Sequence, residues 1–121
     1  MVEKGSGTSY SIGHLRIKYL DLANMSFAQN DFVTCKGYID DFMDTVDAES
    51  DSGKMLKEEF DKIYASKKTM DIELDKNITD LGYFEQKDAE EDGRRNIEIN
   101  SLHDIKETCW RVSLKHGLFY D

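Results

Sequence analysis

Not one of the 121 residues is proline, so nothing in this chain forces a helix to stop by removing an amide donor and clashing with the preceding turn. The eight glycines are few and sit mostly near the ends of apolar runs, where they cap helices rather than break them. Long helices can therefore run uninterrupted, and the apolar residues take up helical spacing along most of the sequence. Ile12, Leu15, Tyr19 and Leu22 recur at three and four residues, widened by Leu20, Ala23 and Phe27, as on one face of an amphipathic helix that ends near Gln29. After Asn30 and Asp31, which offer turn and cap chemistry, Phe32, Cys35, Ile39, Phe42 and Val46 repeat the spacing without a miss, with Tyr38 and Met43 beside them. So short a connection folds the two helices into an antiparallel hairpin.

An acidic corner follows, and then Leu56, Phe60, Ile63, Met70, Leu74, Ile78 and Leu81 mark a third helix of roughly 28 residues. Lys67 stands where that stripe wants an apolar side chain, a place where lysine lies along the surface or fixes register in a coiled coil. Gly82 is positioned as the C-cap of this helix. The stretch 85–96 carries only Ala89 as an apolar residue, and reads either as the solvated start of a long fourth helix or as a charged loop. Ile99, Leu102, Ile105, Cys109 and Val112 form the last stripe, with Ser101 and Asp104 resembling a capping box and Gly117 with Leu118 a Schellman ending. The expected fold is all-α: an elongated four-helix bundle of two antiparallel hairpins, spanning 10–50 and 52–117, in one domain from 10 to 121 after a flexible tail over 1–9.

Tyr19, Leu22, Ala23, Asn30, Asp31, Phe32, Cys35 and Ile39 together resemble a single tetratricopeptide-type hairpin, in which those places hold large, large, small, turn, turn, aromatic, small and large residues. Ser26, Phe42 and Asp47 depart from that pattern, and no second copy follows 34 residues on. The resemblance implies two closely packed helices and no repeat array.

Charge narrows the partners. The formal charge is −9, with 11 basic and 21 acidic side chains in residues 1–93 against 5 and 4 in residues 94–121. Such a surface repels phosphate backbones and anionic membranes, so direct nucleic-acid binding is not expected. No run approaches a membrane span and the first residues lack the apolar core of a secretory signal, giving the expectation of a cytoplasmic protein. Cys35 and Cys109 lie on apolar stripes and form no CxxC pair, as expected of buried thiols in a reducing compartment.

Four features of the sequence invite a chemical reading. Asp47, Glu49, Asp51, Gly53, Met55 and Glu58 fall at positions one, three, five, seven, nine and twelve of a calcium loop, but the sixth position, where the sharp turn needs glycine, holds Ser52. The competing reading is a polar corner in which Asp51 or Ser52 caps the third helix. His14, His103 and His116 are scattered, and the pair His103 and Glu107 lacks the further ligands of a metal site. Neither cysteine stands in a nucleophile–base pattern, and "GSGTS" lacks the lysine of a phosphate loop. No catalytic, metal or cofactor-binding residue is assigned, and no enzyme is expected. The acidic set Asp40, Asp41, Asp44, Asp47, Glu49 and Asp51 offers an imitation of a phosphate array, hence an alternative reading as an inhibitor that competes with nucleic acid for a basic protein. The leading expectation is a helical protein-interaction or assembly module that self-associates through Trp110, Leu114, Leu118, Phe119 and Tyr120, since aromatic anchors near an arginine are what protein interfaces use.

Overall fold

A computed structural model describes residues 11–120; the tail expected over 1–9 lies outside them. The described residues form four helices, α1 Ile12–Ala28, α2 Phe32–Asp44, α3 Asp51–Ile78 and α4 Tyr83–His116. α1 packs on α2 and α3 on α4, so the fold is a pair of helical hairpins, and α4 packs on both α1 and α2 to join them. At 1.5 Å per residue α1 and α2 are about 26 and 20 Å long, whereas α3 and α4 reach about 42 and 51 Å. The second hairpin therefore projects well past the first.

Local chemistry accounts for each boundary. Ser11 caps α1 by accepting a hydrogen bond from the His14 amide at 3.2 Å, and Asp31 caps α2 by accepting from Thr34. Between those helices Asn30 takes a left-handed conformation with φ 62°, which asparagine tolerates better than most residues. The corner before α3 is organised by Ser50, a cap earlier than the Asp51 or Ser52 anticipated: its Oγ accepts from the Gly53 amide and donates to the Asp47 carbonyl. α3 closes at Thr79, and Gly82, expected to end α3, instead begins α4, its carbonyl accepting from the Gln86 amide at 2.8 Å. The side chain of Gln86 reaches back to the Thr79 carbonyl at 2.9 Å, tying the two helix ends together.

The stretch 85–96 is helical, so α4 is a single 34-residue helix. The capping box at Ser101 and Asp104 does not form: Ser101 is buried inside α4 and donates to the Ile97 carbonyl at 2.8 Å. The end of α4 is as expected, with Gly117 left-handed at φ 67° and the Leu118 amide bonded back to the Ser113 carbonyl at 2.9 Å, the hydrogen bond of a Schellman ending.

The core gathers at one end of the molecule. Leu20 and Ala23 of α1, Cys35, Ile39 and Phe42 of α2, Val46, Leu56 of α3, Ile105, Cys109 and Val112 of α4, and Leu118 form one buried cluster. Between Leu56 and Ser101 no described residue is buried. On α1 the buried line runs through Gly13, Arg16, Leu20, Ala23 and Ser26, rotated from the Ile12–Leu15–Tyr19–Leu22 stripe, whose members are half-buried or exposed. Three small side chains on that line let α1 sit close against its neighbours, and the one large polar residue among them is bonded. Arg16 donates from Nε to Thr45 Oγ1 at 3.1 Å, from Nη2 to the Thr45 carbonyl at 2.7 Å and from Nη1 to the Leu118 carbonyl at 2.9 Å. It thus ties α1 to the end of α2 and to the chain's last turn.

Candidate functional site

Ion pairs accompany the apolar contacts in the projecting half of the long hairpin. Arg94 of α4 meets Asp75 at 2.7 Å and Asp71 at 3.6 Å on α3, and Glu90 at 3.3 Å on its own helix. Those three carboxylates hold its guanidinium above the ordinary arginine range, the hydrogen bond to Glu90 first among them. Lys67, the break in the α3 stripe, pairs with Glu98 of α4. The hydrogen bond to Glu98 raises its pKa above the usual lysine value. At Gly93 a methyl would press on the Leu74 side chain, so this glycine leaves room for Leu74 between the two helices.

Because α2 and α3 do not pack on one another, an open cleft separates them, floored by α4. It holds about 450 Å³ and is lined by Phe32, Val33, Ile39 and Met43 from α2, Phe60 and Tyr64 from α3, and Ile99, Leu102 and Ile105 from α4. Lys36, Lys67 and Arg95 stand at this cleft with Asp40 and Glu98. A second recess of about 280 Å³ shares Met43, Phe60 and Tyr64 and continues toward Val46 and Gly53. The two form one apolar trough along α3. Val33 on its wall is 86% exposed.

The C-terminal contact set divides. Leu118 is buried in the core, and Trp110 and Phe119 pack on that core with their rings edge to face at 5.2 Å. Leu114 and Tyr120 stand out at 64% and 87% exposure. Leu118 thus completes the bundle, and Trp110 and Phe119 are partly engaged by it. A further part of the open apolar surface lies in the cleft, at Val33 and Tyr64. Its α2 wall was legible as Phe32, Ile39 and Met43 of the second stripe, but the opening itself depends on α2 and α3 diverging, for which sequence spacing carries no signal.

Cys35 and Cys109 are free and buried. Burial raises the pKa of both thiols, that of Cys109 to about 12, so neither is a thiolate nucleophile at neutral pH. The calcium-like corner uses its own groups: Asp47 Oδ1 accepts from the Glu49 amide at 2.9 Å, and a Cβ on Gly53 would collide with the Asp47 carbonyl. That glycine is required by the chain's close approach to itself, one position later than a calcium loop would need it. Among the described residues no three acidic, histidine or cysteine side chains are grouped to hold a metal ion. The acidic set of α2 and the corner points to solvent, and no helix among the described residues is long and apolar enough to cross a membrane. Comparison with family models, curated proteins and solved structures returns no match for this chain.

Proposed function

We propose that this chain is a non-enzymatic helical module that assembles with protein, and that it self-associates. The observation that carries the reading is the apolar trough between α2 and α3, open to solvent along a helix that projects past its own core. Apolar concave surface rimmed by charge is the kind of surface by which helical proteins recognise other helices. The sequence expectation places the contact at Trp110, Leu114, Leu118, Phe119 and Tyr120; the trough is added to it, because Leu118 is buried and Trp110 and Phe119 pack partly against the core.

Light scattering after size exclusion, over a hundredfold range of protein concentration, tests this reading. The wild type is expected to rise from the monomer mass toward twice that value. Val33→Asp combined with Tyr64→Asp, both on exposed wall positions, is expected to stay monomeric with an unchanged helical circular dichroism spectrum. A wild type that remains monomeric at every concentration overturns self-association.

A further inference from the structure

Tyr83 and Phe84 begin α4 at the far tip of the long hairpin, 73% and 78% exposed, with their rings in edge-to-face contact at 5.3 Å. Two large aromatics locked together in solvent make a rigid apolar knob, an arrangement common at protein contacts and costly to leave wet. From Phe84, spacings of four, three, four, three and four lead through Asp88, Glu91, Arg95 and Glu98 to Leu102, a line that keeps to one side of a gently supercoiled helix. Arg95, Glu98 and Leu102 line the cleft, so the knob and the cleft lie on the same side of α4.

They cannot meet within one molecule. Fifteen residues of continuous helix separate Phe84 from Ile99 on the cleft floor, about 22 Å of stiff rod. Between two molecules they meet readily. If two long hairpins lie antiparallel about a two-fold axis, Phe84 of each reaches Ile99 of the other, and the same register sets Asp88 opposite Arg95. Both pairs share one midpoint, between Glu91 and Asp92, as a single two-fold axis requires. Size agrees, since about 150 Å³ accommodates one benzene ring and the cleft offers about 450 Å³. Charge agrees as well: Asp80, Glu85 and Asp88 surround the knob against Lys87, while three basic side chains line the cleft against two carboxylates. We infer that the cleft receives the Tyr83–Phe84 tip of a second copy of this chain, in a reciprocal antiparallel dimer of the long hairpins. This rests on the self-association proposed above and names its surfaces. The dimer also covers the stretch between Leu56 and Ser101, where the isolated chain buries no described residue.

Mixing two full-length variants tests the register. Arg95→Cys chains and Asp88→Cys chains, combined and mildly oxidised, are expected to give mainly the mixed disulfide-linked dimer, with wild type as the uncrosslinked control because Cys35 and Cys109 are buried. Phe84→Ser is expected to weaken dimerisation at least tenfold in sedimentation velocity with the thermal melt of the monomer unchanged. A wild-type dimer that tolerates Phe84→Ser, or that crosslinks mainly Asp88→Cys to itself, overturns this arrangement and leaves self-association standing. A wild type monomeric throughout overturns both.

Discussion

Arg16 is the residue on which the compact end of the molecule turns. Its guanidinium satisfies the Thr45 carbonyl and the Leu118 carbonyl, both at places where the chain leaves a helix. Arg16→Met keeps the stem's packing and removes the donors, and should cost about 3 kcal/mol in urea unfolding, the scale of leaving buried carbonyls unpaired. Arg16→Lys should restore little of it, because one ammonium cannot reproduce the planar fork. Two glycines make a sharper contrast. A Cβ at Gly37, mid-α2, meets nothing within 4 Å, so Gly37→Ala should stabilise by about 0.5–1 kcal/mol through backbone entropy. The same change at Gly53 runs into the Asp47 carbonyl and should destabilise by about 1–3 kcal/mol through forced backbone movement. Parallel thermal melts of the two variants read the opposite signs. The thiols give a third test: a pKa raised in the folded state contributes stability that is intact below the unfolded value and lost as pH rises. For Cys109 that loss runs from pH 9.0 toward about 12, and the difference in unfolding free energy between wild type and Cys109→Ala should shrink over that window.

At the scale of elements, the two hairpins differ in what holds them. α1 and α2 close over fully buried apolar side chains, whereas the projecting parts of α3 and α4 rest on half-buried residues such as Leu74, Ile78 and Ile97 and on the Arg94 and Lys67 ion pairs. Exposed ion pairs add little, so local opening should be easier there. At monomer concentrations, amide hydrogen exchange should be slow across residues 35–42 and 102–113 and faster across 68–92. The same difference explains what was legible beforehand. The stripe of α2 is regular and entirely apolar, so the Phe32–Asp44 helix and its buried face could be read from spacing alone. On α1 the true contact line consists of Gly13, Arg16, Ala23 and Ser26 beside Leu20, and hydrophobic spacing cannot detect a face made by small residues and one satisfied arginine. In 85–96 the helix is carried by its continuity with a well-packed C-terminal half and by cross-helix charge, which a local apolar count cannot see. The cleft was the least legible feature, because it arises where the backbones of α2 and α3 stay apart.

For the whole molecule, net charge sets how association must respond to salt. Each copy carries −9, so two copies approach against a long-range repulsion that falls off over roughly 10 Å at 0.1 M salt. The reciprocal arrangement adds one local penalty, since its axis passes between Glu91 and Asp92 and brings those carboxylates toward their counterparts. Glu91 is partly answered by Arg95, 4.0 Å away on the same helix, whereas among the described residues Asp92 has no such ion pair. Raising sodium chloride from about 0.05 to 0.5 M shortens the screening length severalfold and leaves the apolar contact of Phe84 with the cleft intact, so dimerisation should strengthen. Asp92→Asn should strengthen it further at low salt and have little added effect at high salt. An acidic inhibitor seated in a basic cleft obeys the opposite sign, because its attraction is the quantity that salt removes. Sedimentation velocity of wild type and Asp92→Asn at both salt levels separates the two readings. Association that weakens in high salt, with Asp92→Asn unable to tighten it at low salt, would mean that attraction between unlike charges outweighs both the net repulsion and the apolar contact of Phe84, as an acidic inhibitor requires.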